Sequence, residues 1–282
     1  MRYRIVFLIA FLFLRLVPGI GQEAAFHFLM LADTQLGMYA SDKNFEQEKA
    51  NYEFAVATIN RLKPKFVIIL GDLVNKPGDR DQLREFLRIS RTIDPFIPLY
   101  LVAGNHDVGQ APTPETLAAY RKNIGRDYYS FREGPVYGIV LNSGLICEPK
   151  NVKDEYERQN EWLRRELDAA QSSGAAHIIL FQHHPLFTQD PSEPAQWSSV
   201  PPERRKPLLE LLHRYGVRHV FAGHVHRNMT AADGDLEAVA TGPVAMPFGE
   251  EGSGIRVGSI TAAGVQHRYY DFGRLPNKLD VK

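Results

Sequence analysis

The chain has 282 residues, 44% hydrophobic and 23% charged, close to globular averages and long enough for one large domain or two small ones. Its 33 basic residues balance 33 acidic ones, which removes any overall electrostatic case for a nucleic-acid or anionic-membrane partner. Cys147 is the only cysteine, which excludes an intrachain disulfide.

The start of the chain has a composition of its own. Arg2 and Arg4 precede an unbroken apolar run, Ile5 to Leu14, and Pro18-Gly19-Ile20-Gly21 follows. A basic start, a short apolar segment and small residues predict a secretory signal peptide over residues 1–21, cut after Gly21. The mature protein would then be periplasmic or secreted; left uncut, the segment would tether the chain to a membrane. The run falls short of the roughly 20 residues a membrane-spanning helix needs, and no second candidate span follows.

Residues 22–272 predict one α/β domain of two sheets flanked by helices, a β-sandwich in an αββα arrangement, with a tail over 273–282. A strand runs from Phe26 through Ala32. Phe45, Tyr52, Val56, Ile59 and Leu62 recur at helical spacing and predict a helix over 44–62. Strand 66–70, helix 80–92 and strand 98–103 continue a βαβαβ rhythm that predicts a parallel sheet. A short helix near 114–122, strands near 128–132 and 136–142, a charged surface helix over 154–172 and strand 177–182 come next. Cys147 reads as a small apolar side chain near a strand end. Five prolines between Thr188 and Pro207 predict a loop, whose length and Trp197 suggest a lid beside a site. A helix near 206–215, strand 217–222 and antiparallel strands 236–241, 255–261 and 265–271 complete the domain.

Five of the predicted strands end in short polar motifs: Asp33-Thr34-Gln35, Gly71-Asp72, Gly104-Asn105-His106-Asp107, His183-His184-Pro185 and Gly223-His224-Val225-His226. The apolar runs before them read as buried strands, and open α/β sheets place their sites at the carboxyl ends of such strands. Asp33, Asp72, Asn105, His183, His224 and His226 form a mixed oxygen and nitrogen set without thiolate. Such a set suits Mn²⁺, Fe and Zn²⁺, not iron–sulfur clusters or Cu(I). Two aspartates are too few for a Ca²⁺ loop, and the ligands outnumber the needs of one tetrahedral ion, so two metals are expected. A glycine before Asp72, Asn105 and His224 permits a sharp turn out of a strand. Without metal, a buried cluster of Asp, Asn and His would be costly.

The five motifs, in this order, resemble those of the calcineurin-like metallophosphoesterases over nearly all of the mature chain. Asp33-Thr34-Gln35, Gly104 to Asp107 with Pro112 to Thr116, Phe181 to Phe187, Gly223 to Asn228 and His267 to Tyr270 look closest to one branch, the "complete" serine/threonine protein phosphatases. The resemblance implies that Asp33 and His226 hold a first metal with Gln35 beside it. Asp72 would bridge both ions, and Asn105, His183 and His224 would hold the second. His183 is preferred to His184 because it stands two residues before the proline. His106, paired with Asp107, would face the substrate phosphate as general acid. The implied reaction is hydrolysis of phosphomonoesters on small molecules or proteins, phosphoserine and phosphothreonine included, by a metal-bridging hydroxide. Two divalent ions outweigh two aspartates and one hydroxide, so the centre would stay cationic and draw a phosphate dianion.

A phosphodiesterase of the same fold is the alternative enzyme. The rival from another class is a metal- or phosphate-binding protein without turnover. Gln35 leans that way, since many superfamily members have His there and a neutral amide is the weaker ligand; His106 and Asp107 lean against it. Leu73-Val74-Asn75 after Asp72 lacks the tyrosine of purple acid phosphatases, so no charge-transfer colour is expected. His27, His177, His213, His219 and His267 read as structural, the Asp79-Arg80-Asp81-Arg84 run as a solvated helix start, and His184 as either a substrate contact or packing.

Overall fold

The computed structural model describes residues 25–279, so the expected signal segment at 1–21 lies outside the described residues. The first sheet has strand order β11-β10-β1-β2-β3. Its centre is β1 (Phe26–Leu31), β2 (Val67–Ile69) and β3 (Leu99–Leu101), all parallel, and β10 (Gly254–Thr261) and β11 (Gly264–Asp271) add an antiparallel edge. The second sheet runs β4-β5-β6-β7-β9-β8. Parallel pairing links β5 (Val136–Val140), β6 (His177–Phe181), β7 (His219–Ala222) and β9 (Leu236–Ala240); β4 (Tyr129–Glu133) and β8 (Met229–Asp233) close the edges antiparallel.

Successive residues of a strand face opposite ways, and both faces of β1 are apolar. Phe28 and Met30 join Phe66, Ile68, Phe181 and Phe221 in a core between the sheets, where Phe28 stacks on Phe66 at 4.7 Å. Leu29 and Leu31 face outward, into a second core under α1 (Glu46–Leu62), α2 (Arg80–Ser90) and α4 (Pro114–Asn123). There Tyr52 of α1 stacks on Phe86 of α2 at 5.3 Å. A third core lies under α6 (Lys153–Ser172) and α7 (Pro202–Arg214), against the outer face of the second sheet. Burial on both faces explains the unbroken apolar runs that precede the polar motifs. Asp79 caps α2 by accepting from Asp81 N and Gln82 N, so the charge run there is a helix start.

Several expectations are corrected. The proline-rich loop ends earlier than expected, because α7 starts at Pro202, where proline's fixed φ suits the first helical position. Cys147 ends a short helix, α5 (Ser143–Cys147), and not a strand; burial pushes its thiol up to about 12. The strand β8 and the single-turn helix α3 (Asn105–Val108) were not expected. The expected tail packs back: Leu275 and Leu279 lie against the core under α1, and Arg61 Nη1 donates to Pro276 O at 2.8 Å.

Candidate metal centre

Asp33 follows β1, Asp72 follows β2, Asn105 follows β3, His183 follows β6, and His224 and His226 follow β7. Both sheets thus send their carboxyl ends to one place, and main-chain bonds lock the turns together. Asp33 N donates to Gly71 O, Gln35 N to Asp72 O, Gly223 N to His183 O and Ala245 N to Asp33 O. Among the described residues eight non-glycine residues have positive φ, and five of them are Asp33, Gln35, Asp72, His224 and His226. Left-handed backbone in such residues costs about 1–3 kcal/mol each and gathers at functional sites.

The glycines before the motifs act mainly by leaving room. A Cβ at Gly104 would stand 2.2 Å from Asp72 N and Oδ1, and one at Gly223 would stand 2.8 Å from Asp33 Oδ2. Only Gly71, at φ +87°, also needs glycine's backbone freedom.

The side chains converge. The ligating atoms of Asp72, His183 and His224 lie within 4.8 Å of one another, all buried. His183 Nε2 is 3.2 Å from Asp72 Oδ2 and 3.0 Å from Asn105 Oδ1. His226 Nε2 is 3.5 Å from Asp33 Oδ1. Each imidazole has its other nitrogen held by a main-chain carbonyl: His183 Nδ1 by Leu70 O at 2.7 Å, His224 Nε2 by Trp197 O at 3.0 Å, His226 Nδ1 by Met246 O at 2.6 Å. A carbonyl only accepts, so the proton is fixed on that nitrogen and the free lone pair points into the cluster, as in metal-binding histidines.

The electrostatics ask for a cation. Burial alone would raise the Asp72 carboxyl, but His183, His106 and His224 outweigh it and hold Asp72 below the usual carboxylate range. Burial would lower His183, yet Asp72 and Asp33 push it up to about 9. A cation set between His183 and Asp72 would answer the same carboxylate charge and take the imidazole's lone pair. Burial, and then the neighbouring His183, lowers His224 to about 4. Burial raises Asp33 to about 6 against the pull of His226 and His183. Gln35 Nε2 donates to Asn75 Oδ1 at 3.1 Å, while its Oε1 is buried without a partner. An orphaned buried acceptor on the turn that carries Asp33 fits a cation or its water, so the donor set passes the test for a two-metal site.

The neighbouring pair departs from expectation. His106 Nδ1 donates to Asn75 O at 2.5 Å, and its backbone N–H donates to Asp72 Oδ1 at 2.8 Å. Asp107 is not the partner of the His106 ring. Its carboxylate accepts from Leu73 N at 2.9 Å and Gly104 N at 2.8 Å, tying the β2 and β3 turns together. The reason is helical: adjacent residues of α3 point in different directions. Burial and then the charge of Asp72 raise Asp107 to about 8. Asn75 is a hub missed from sequence, joining Gln35 to His106. Ser143 is another: its hydroxyl accepts from the backbone N–H of His183 and His184 and bonds His184 Nδ1 at 2.9 Å. His184 is thereby buried beside His224, with ring centres 4.3 Å apart. His27, His213 and His267 bond Ser259, Asp233 and Glu237, outside the cluster.

Comparison with known proteins agrees with this geometry. The family model described as calcineurin-like phosphoesterase matches residues 26–228. The mouse serine/threonine-protein phosphatase CPPED1 is 37% identical over 268 residues, covering 90% of this chain and 86% of its own. Among solved structures, a dimetal phosphatase from Danio rerio superposes with a TM-score of 0.58 at 16% identity, covering 88% of this chain and 99% of its own. GAP50, the anchor in the inner membrane complex of Plasmodium, gives 0.66 at 15% identity over 88% and 85%, a likeness of fold. The chain is a member of the calcineurin-like phosphoesterase family and, as such, a hydrolase of phosphoric esters.

Proposed function

We propose that the protein is a dinuclear metal-dependent phosphomonoesterase acting on phosphoserine, phosphothreonine or small phosphomonoesters, as the name of its CPPED1 relatives suggests. The observation that carries this reading is the set of three histidines, each with one nitrogen held by a main-chain carbonyl: the other nitrogen of His183 meets Asp72 and Asn105, that of His226 meets Asp33, and His224 lies with Asp72 and His183 within 4.8 Å. Asp33, Gln35 and His226 would hold one ion, Asn105, His183 and His224 the other, with Asp72 shared; Mn²⁺, Fe and Zn²⁺ all suit these donors. Two such ions would supply an activated water and neutralise the phosphoryl oxygens.

The chain's own residues do the rest. Asn75 O keeps one proton on His106 Nδ1; as an imidazolium the ring would carry its second proton on Nε2, hand that one to the leaving alkoxide and keep the first. Asp107 fixes the turns that carry Asp72 and His106, a positioning role. Hydrolysis of a chromogenic phosphomonoester and its matching diester, after chelation and after add-back of Mn²⁺, tests the reading. We expect turnover restored at about two ions per chain, with the monoester preferred. Stoichiometric metal without turnover of either ester would reject it in favour of a binding protein.

A further inference from the structure

Two large apolar side chains stand exposed at the mouth of the candidate centre: Trp197 at 70% and Phe248 at 41%. Each lies against one histidine of the Gly223-His224-Val225-His226 turn. The Trp197 ring meets His224 edge-on at 5.3 Å, and Phe248 stacks on His226 at 4.5 Å. An exposed indole forgoes burial that most tryptophans obtain, and such residues mark recognition surfaces when they gather at one place.

The loops that carry these rings are built. In the first, Glu193 accepts from Thr188 N at 3.0 Å, Gln189 N at 3.0 Å and Ser199 Oγ at 2.7 Å, and pairs with the buried Arg205 at 3.3 Å. In the second, Phe248 N donates to His226 O at 3.0 Å, Arg227 Nε donates to Phe248 O at 2.9 Å, and Tyr39 OH donates to Ala245 O at 3.4 Å. The two rings are thus held on either histidine by well-bonded loops.

We propose that Trp197 and Phe248 form an aromatic rim that binds the organic group of the substrate, and that preferred phosphomonoesters carry a flat aromatic group close to the ester oxygen. The inference rests on the phosphomonoesterase reading above and names the substrate class of the same site. With the phosphoryl group drawn to the cluster, the organic group must project through the mouth, past the rings. Aromatic pairs stack or meet edge-on with centres about 4.5–7 Å apart, a separation a planar group in the mouth can reach from either ring. The backbone carbonyl of Trp197 that holds His224 is untouched by a side-chain substitution, so the ring's part can be read separately.

The test compares benzyl phosphate with propyl phosphate, whose leaving alcohols have similar acidity, on the metal-loaded full chain. We expect the benzyl ester to be favoured in kcat/KM by about 3- to 10-fold, the size of an aromatic pair, and the preference to fall toward unity in Trp197→Ala and Phe248→Ala, mainly through KM. A second readout needs no turnover. The chain has only 2 tryptophans, so benzylphosphonate should quench emission in wild type and not in Trp197→Ala, and should bind more tightly than propylphosphonate. If wild type turns over both esters alike, or the preference survives both substitutions, the rim is overturned and the phosphomonoesterase stands. If neither ester is turned over, the phosphomonoesterase reading fails, and the phosphonates still decide the rim: tighter benzylphosphonate supports it, equal binding overturns it.

Discussion

On the side of the cluster fed by β2, β3 and β6 the donors converge closely, with Asn105 Oδ1 and Asp72 Oδ2 at 3.0 and 3.2 Å from His183 Nε2. On the side fed by β1 they are looser: Asp33 Oδ1 is 3.5 Å from His226 Nε2, and Gln35 Oε1 ends without a partner. With His224 from the turn after β7, the closer half offers two imidazoles, an amide and the shared Asp72; the looser half, with His226 from that same turn, has one imidazole, one carboxylate of its own and an amide in place of a second imidazole. The contrast teaches that one ion position can be preformed by buried ion pairing while its neighbour waits on the ion itself. Stepwise metal loss is the expected consequence, with the Asp33 side emptied first.

The largest effect should come from the residue common to both halves. Asp72→Ala is expected to lose both ions and at least about 100-fold in turnover, more than a mere supporting residue would cost; two ions per chain in the purified variant would end the idea of a shared carboxylate. His106→Ala should leave both halves loaded and lower kcat by about 10²–10⁴-fold, and an unchanged kcat would remove it from the proton path. Gln35→His gives the looser half a second imidazole. A chelator titration should then show the first-lost ion held about tenfold more tightly, and an unaltered titration would trace the asymmetry to something other than Gln35.

The smallest effect is a control away from both halves. A hydrogen bond from His267 lowers the Glu237 carboxyl below its ordinary 4.5. The unfolded chain then binds the proton more readily, so Glu237 contributes stability above pH 4.5 that is lost as the pH falls through its folded pKa. Wild type should melt a few degrees above Glu237→Gln at pH 7. The gap should close in acid, with no change in metal retention at pH 7; a gap that persists in acid would assign it to packing.

The sequence carried the strand-end motifs because parallel strands buried on both faces leave long apolar runs, and a polar cluster straight after such a run stands out. It carried residue types, and so the donor set. It could not carry the carbonyls of Leu70, Asn75, Trp197 and Met246, since every residue has one and only the fold selects which meets an imidazole. Asp107 was misread because its pairing with His106 was carried over with the motif, whereas adjacent residues of a helical turn point in different directions. Ser143 sits in a short helix with no period to reveal it, 40 residues from the histidines it braces.

Asp33, Gln35, Asp72 and Asn105 belong to turns of the first sheet, and His183, His224 and His226 to turns of the second. Ions held among them would rivet one layer of the sandwich to the other, in a chain whose lone cysteine permits no covalent rivet of its own. Resistance to unfolding would then follow mass action. It would gain about 2.7 kcal/mol when free metal stands at a hundred times its dissociation constant and surrender that gain in metal-poor surroundings, so that scarcity of the ion would remove both the activity and part of the fold's endurance.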